Sequence, residues 1–311
     1  AYAICRCLLG SEMCIRDRLD PLQSAQLLSK NESLYSALKL GLFDYVSKNN
    51  FEKVLVGLSG GIDSALTATI AVDALGSNNV VGVALPSKYN TEESLVDARL
   101  LAENLDIEFK VIEIEEIVNI FRNTLKESVN DELGQITDEN IQSRVRGNIL
   151  MALSNQTGAM VVSTGNKSEM AVGYSTLYGD LAGGFALLKD LYKTEVYNLA
   201  NFRNSISSVI PQNTIDKEPS AELRPDQFDK DSLPEYELLD EILRMYIEED
   251  SSSEKIISKG IDENIVYDVL SKVDRNEYKR KQVAPGVKLT EKAFGKDRRM
   301  PITNTYIRER G

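Results

Sequence analysis

From residue 53 to residue 163, short apolar runs alternate with longer stretches in which apolar residues return every three or four positions. The runs at 53–58, 80–85, 108–114 and 159–163 read as strands, that at 80–85 as a buried one. The intervening stretches read as helices: an Ala-rich one running to about Leu75, a second over 92–105, and a third over 139–156. Asp138 is the expected N-cap of the third helix, and Gly158 stands near its C-terminal stop. Ahead of the first strand, Leu34, Leu38, Leu42, Tyr45 and Val46 recur at helical spacing and predict an amphipathic helix. Strands alternating with helices imply an α/β fold built on a doubly wound parallel sheet flanked by helices. Beyond Tyr192 the pattern is helical, with candidates at 193–202, 234–248 and 262–273. The stretch 205–233 is rich in Pro, Asp, Asn and Ser and has no period, the composition either of a functional lid or of a disordered segment.

Length and composition narrow the field. A chain of 311 residues can bury one sizeable core, and no apolar run approaches the length that spans a bilayer. The net charge of −12 argues against general binding to nucleic acid or a membrane surface. From Lys272 onward the balance reverses, with 12 basic residues and 5 acidic ones. That end is either a salt-bridged surface or a basic wall facing an anionic ligand. The absence of histidine excludes His-based triads, HExxH zinc sites and imidazole proton relays. All three cysteines, Cys5, Cys7 and Cys14, fall in the first 14 residues. The remaining body therefore has no Cys nucleophile, disulfide framework or CxxC zinc site, and the cytoplasm is the expected compartment. Residues 1–18 differ in character from the rest of the chain and precede a polar linker at 19–32. We expect a fusion scar or mistranslated end there, so residues 1–33 stand apart from a single domain over 34–311.

The strongest chemical signal is Ser59-Gly60-Gly61-Ile62-Asp63-Ser64, between the first strand and the first helix of the alternating region. Two glycines let backbone N–H groups close around an oxyanion, and the helix N-terminus adds partial positive charge. Ser59 and Ser64 can donate to phosphate oxygens, and Asp63 can hold Mg²⁺. A Walker A loop is excluded, because its lysine is missing. A plain glycine turn with an Asp/Ser helix cap is the bland alternative. Four Gly and polar positions in this order at a strand's C-terminal end outweigh it.

This loop resembles the pyrophosphate-binding loop of N-type ATP pyrophosphatases, which split ATP between its α and β phosphates. Further motifs narrow the resemblance to NAD synthetases. They are Ser163-Thr164-Gly165-Asn166-Lys167-Ser168-Glu169, Val172-Gly173-Tyr174, Tyr178-Gly179-Asp180, Asn140-Ile141-Gln142-Ser143-Arg144, Glu277-Tyr278-Lys279-Arg280 and the closing Phe294-Gly295-Lys296-Asp297-Arg298-Arg299-Met300-Pro301-Ile302. The likeness extends from about Leu34 to the C-terminus.

The resemblance implies ATP as co-substrate, with Mg²⁺, deamido-NAD and ammonia as the other participants. Gly57, Leu58, Ser59, Gly60, Gly61, Ile62, Asp63 and Ser64 would hold the ATP phosphates, and Thr164, Lys193 and Ser220 match further ATP contacts. Asp63 and Glu169 match the magnesium ligands, and with Ser59 they form the implied catalytic set. Asn140, Arg144, Glu169 and Lys279 match the deamido-NAD side. Asn140 and Arg144, spaced i, i+4, share one helix face. Leu177, Tyr278 and Ser220 depart from the ammonia-only branch as it is known, and Gly173-Tyr174-Ser175-Thr176-Leu177-Tyr178-Gly179-Asp180 is similar to the synthetase half of the glutamine-dependent branch. That branch carries an N-terminal amidase with a Cys-Glu-Lys triad. None precedes Leu34 here, so the expectation is a fragment or a stand-alone synthetase fed with ammonia, free or from a separate amidase. At least a homodimer is also implied. Two competing readings are a different amidotransferase or thiolase of the loop family, such as GMP synthetase, and a non-catalytic ATP-binding module. A thiolase lacks support because the body has no cysteine. A binding module has no need of both Asp63 and Glu169.

Overall fold

The chain is described from a computed structural model, over residues 28–129, 131–225 and 227–303. The unusual stretch 1–18 lies outside the described residues. The sheet has five parallel strands in the order β3-β2-β1-β4-β5. These are β1 (Val54–Gly57), β2 (Val80–Ala84), β3 (Glu108–Val111), β4 (Met160–Ser163) and β5 (Phe185–Ala186). Leu55 is in register with Val81 on one side and Val161 on the other. The third expected strand, 108–114, pairs regularly only to Val111, yet Ile112 and Ile114 still donate to Ala84 O and Pro86 O.

Alternating side chains of the central strands point to opposite faces and explain the two layers. Val54, Val56, Val80 and Val162 join one core with α1 (Lys30–Lys48), α2 (Ile62–Leu75), α3 (Glu92–Asn104) and, past β5, α7 (Lys193–Ile206). Leu55, Val81, Val83 and Val161 join the other with α4 (Glu115–Val129) and α5 (Gln135–Thr157). A helical lobe gathers around α6 (Lys167–Val172), α9 (Tyr236–Leu243), which runs on into a π-helical turn at Arg244–Glu248, α10 (Ser253–Ile257) and α11 (Glu263–Arg275). Two short helices complete the fold, α8 (Gln212–Asp216) and α12 (Glu277–Arg280).

Some boundaries differ from the sequence reading. Helix α1 opens at Lys30 with Ser29 as its cap, so residues 30–33 are helical rather than linker. Its buried positions Leu38, Leu42 and Val46 follow the expected spacing. Asp138 is not an N-cap. Helix α5 opens at Gln135 after Gly134, which leaves Asp138 in its first turn. There its carboxylate receives Arg122 of α4, and Nη2 donates at 2.9 Å. Gly158 ends α5 with φ 71°, the left-handed geometry that a glycine stop provides.

Candidate active site

Order in the sheet turns between β1 and β4, because the chain winds outward from β1 through β2 to β3 and then returns to β4 and β5. Such a switch point leaves a crevice at the C-terminal strand ends. A cavity of about 450 Å³ opens there, lined at the strand ends by Gly57, Ala84 and Ser163 among others.

The Ser59–Ser64 turn forms one wall. Gly60 has φ +82°, and a Cβ there would fall 2.3 Å from the Ser94 carbonyl oxygen. Only glycine meets both conditions without displacing α3. Ser64 Oγ donates to Gly61 O at 2.9 Å and lies 3.2 Å from Ser59 Oγ, which also accepts from the Gly61 N–H. The turn is thus shaped by its own hydroxyls, with α2 beginning at Ile62.

Opposite stands α6. Asn166 caps it by accepting from the Glu169 N–H at 3.0 Å, while its Nδ2 donates to Asp63 Oδ1 at 2.9 Å. One amide therefore fixes both the helix that carries Glu169 and the aspartate of the facing turn. Lys193, the first residue of α7, donates to Asp63 Oδ2 at 2.5 Å and to Glu169 Oε1 at 3.2 Å. Burial opposes its charge, but Asp63 and Glu169 hold the ammonium well above the usual lysine range. Burial pushes the Glu169 carboxyl up to about 8; Lys193 pulls it down, and Asp63 and Asp229 add to the rise. Three carboxylates thus share the neighbourhood of one ammonium. Asp229 accepts from Tyr236 OH on Oδ2 at 2.7 Å, and its buried Oδ1 takes no hydrogen bond among the described residues.

These features bear on Mg²⁺. The donors are hard carboxyl oxygens, and Asp229 Oδ1 beside them takes no hydrogen bond among the described residues. No cluster of three or more His, Cys, Asp or Glu suited to a metal occurs among the described residues. Mg²⁺ commonly completes its coordination with substrate phosphates and water, so a carboxylate pair fits it.

Within the stretch 205–233, residues 217–223 form a flap along the cavity edge. Lys217, Ser220 and Glu222 line the cavity. Glu222 accepts from Ser94 Oγ at 2.5 Å, Asn90 Nδ2 at 2.8 Å and Lys217 Nζ at 2.9 Å, which pins the flap to the start of α3. Ser220 Oγ donates to Gln227 O at 2.5 Å and shapes the bend.

The sequence-derived residues divide in two. The turn residues Gly57, Leu58, Ser59, Gly61, Ile62, Asp63 and Ser64 line the cavity, as do Thr164, Glu169, Lys193, Ser220 and Asn140; Gly60 is instead packed against α3. Arg144 and Lys279 do not line it. Arg144 Nε donates to Leu177 O at 3.2 Å, and Lys279 Nζ donates to Gly173 O and Ser175 O at 2.6 and 2.8 Å. Both brace the loop whose residues Tyr174, Ser175 and Thr176 form a cavity wall. Asn140 accepts from Thr176 Oγ1 on that same loop at 2.7 Å.

Sequence reasoning assigned no role to Asn166, Arg146, Asp229 or Glu222. Asn166 sits inside a motif already singled out, and its capping position was the available signal. Arg146 lines the cavity and donates to Leu85 O at 3.0 Å and Asn90 Oδ1 at 2.9 Å. Burial brings its guanidinium down to about 10, with Glu222 pulling the other way.

Comparison with known proteins agrees with this arrangement. Residues 34–283 match the NAD synthase family. The chain is 55% identical over 279 residues to the glutamine-dependent NAD(+) synthetase of Aquifex aeolicus, a span covering 90% of this chain and 49% of that protein. It is 55% identical over 279 residues to the enzyme of the same name from Thermotoga maritima, with 89% and 48% covered. The solved structure of the glutamine-dependent NAD+ synthetase from Acinetobacter baumannii, in complex with ADP, is 47% identical. It superposes with a TM-score of 0.62 over 91% of this chain and 51% of that one. The chain therefore spans about half the length of the relatives it matches. With residues 34–283 matching its family model, and a fold whose glycine turn sets Asp63 opposite Glu169, this chain belongs to the NAD synthase family.

Proposed function

We propose that this chain catalyses the ATP-dependent amidation of deamido-NAD to NAD. A carboxylate is a poor electrophile at neutral pH. In the first step a carboxylate oxygen of the nicotinic acid group attacks the α-phosphorus of ATP; the α–β bond breaks and pyrophosphate leaves. In the second, ammonia attacks the acyl carbon of the resulting mixed anhydride, AMP leaves with the bonding pair, and the surplus proton passes to a carboxylate or phosphate oxygen, leaving the amide. Ammonia reaches the site free or from an amidase domain or subunit.

The observation that carries this reading is the Ser59–Ser64 turn, which carries Asp63, facing Lys193 and Glu169 across one cavity at the sheet's switch point. The turn's N–H groups and hydroxyls are assigned to the departing diphosphate, with the N-terminus of α2 adding to the field. Thr164, Lys193 and Ser220 are assigned to ATP. Lys193 is a buried, permanently charged donor whose position suits developing phosphate charge. Mg²⁺, held by Asp63 and Glu169, would supply charge neutralisation at the phosphates. Asn140 and Glu169 are assigned to deamido-NAD directly, and Arg144 and Lys279 to holding the wall it rests on. The absence of histidine is no obstacle, because the stabilisation is electrostatic.

The test is pyrophosphate release from ATP with deamido-NAD, supplied with NH₄⁺ and then with glutamine, and with xanthosine monophosphate in a parallel arm. Release that depends on deamido-NAD and yields NAD is expected. Release with xanthosine monophosphate alone assigns the chain to another amidotransferase, and ATP binding without release makes it a binding module.

The same reading includes self-association. Helix α4 buries only Val118 and leaves Ile117, Ile120 and Phe121 exposed on one face, which suits a second copy of the chain.

A further inference from the structure

Met170, next to Glu169 on α6, opens on a second concavity of about 230 Å³ that shares no lining residue with the first. Four of its lining residues are cations, Lys189, Arg280, Lys281 and Arg299, and none is acidic. Phe294 and Met170 supply apolar surface. In a chain of net charge −12 such a concentration is not a by-product of general basicity.

The cations are also poorly compensated. Arg280 pairs with Glu277 at 3.1 Å. Among the described residues, Lys189, Lys281 and Arg299 have no carboxylate within 4.0 Å. Lys189 Nζ donates to a backbone carbonyl, Ala284 O, at 2.8 Å, which leaves further donors on its ammonium. Arg280 is immobilised: Nη1 donates to Ala171 O at 2.7 Å, and the guanidinium stacks 4.6 Å from the Phe294 ring. Burial lowers the pKa of both Lys189 and Arg280, with Asp190 and Glu277 respectively pulling the other way. A buried guanidinium at the base and exposed Lys281 and Arg299 at the mouth, the latter with Nε donating to Gly295 O, are suited to an anion. The basic excess after Lys272 divides: Lys272, Lys288, Lys292 and Arg298 are salt-bridged, while Arg280, Lys281 and Arg299 line this pocket.

We propose that this pocket binds a small phosphate-class oxyanion, inorganic phosphate or pyrophosphate, with Lys189, Lys281 and Arg299 donating to it and Arg280 fixed beneath as permanent charge. The site does not depend on the reaction assigned to the first cavity.

The experiment is calorimetric titration of the full chain with phosphate and, separately, pyrophosphate, with the first cavity saturated by α,β-methylene-ATP. One oxyanion is expected to bind per chain, and the ligand with the lower Kd identifies which of the two the pocket suits. Lys281→Ala with Arg299→Ala should weaken it at least about tenfold, since charge-assisted hydrogen bonds are lost. Undiminished binding by that variant overturns the proposal. So does absence of binding once the nucleotide analogue is present, which would place the oxyanion in the first cavity. Should the double variant fail to fold, Lys281→Gln at its exposed position must still weaken binding by at least about threefold, and wild-type affinity there also overturns it.

Discussion

Asp63 and Glu169 come from opposite walls and meet on one ammonium, so a change at either alters the balance at both. Asp63→Asn keeps the shape and removes a charge. Turnover should fall roughly 10²-fold or more, the scale of losing one preorganised electrostatic partner, and pyrophosphate release measures it. An unchanged rate would remove Asp63 from the machinery. Glu169 makes a separate prediction about stability. Its carboxyl titrates at about 8 in the folded chain, above the ordinary 4.5, because burial disfavours the charge. The folded protein therefore keeps a proton that the unfolded chain has released. The resulting stabilisation is complete below the ordinary value and is lost as pH rises toward 8. Glu169→Gln cannot titrate, so urea unfolding of that variant between pH 5 and pH 9 should show a flatter decline than the wild type. Parallel curves would show that Glu169 ionises normally.

At the scale of elements, what the sequence disclosed depended on how burial and capping were encoded. Strands β1, β2 and β4 are buried on both faces, and their Val-rich apolar runs announced them. Helix α4 was missed although Ile117, Val118, Phe121 and Leu125 recur at helical spacing along it. It has one buried residue, and Ile114, the residue ahead of its first turn, is no capping type. Strand β5 has two residues, too few for any period. The flap's hold on α3 depends on Glu222 meeting residues more than a hundred positions away, which local pattern cannot express. The chemical residues were more legible than the elements carrying them, because motif order marked them. What motif order did not reveal was that Arg144 and Lys279 act on backbone carbonyls of a wall loop. Helix packing supplies its own test. Arg122 of α4 donates to Glu115 at 2.9 Å and holds Asp138 of α5. The guanidinium keeps the Asp138 carboxyl ionised below its ordinary range. That contribution is present above the ordinary carboxylate pKa and disappears as pH falls through the folded value. Arg122→Ala should cost about 1 kcal/mol at pH 7 in urea unfolding, after allowance for solvent screening, with the difference shrinking in acid. A constant difference across that range would assign the loss to packing.

For the whole molecule the question is what covers α4. Ile117, Ile120 and Phe121 are spaced i, i+3, i+4, so they form one stripe, and they remain 38%, 60% and 45% exposed. Three large apolar side chains in a row on one helix are unusual for an isolated soluble surface. A chain carrying −12 repels its own copies, so association has to come from apolar burial rather than charge. Burying what remains exposed of each such side chain, about half of it, is worth roughly 0.7–1.5 kcal/mol, so two symmetric stripes exceed what one or two isolated contacts could supply. The wild-type chain should then sediment as a dimer at micromolar concentration, twice the 34.6 kDa of one chain. Ile120→Glu with Phe121→Glu places two further negative charges on the stripe and should yield monomer without unfolding, because neither side chain contributes to the core. Circular dichroism checks the fold and analytical ultracentrifugation the mass. A wild-type chain that runs as a monomer would leave the stripe unexplained by self-association. A dimer that survives both substitutions would locate the interface on another face and free α4 for a different contact.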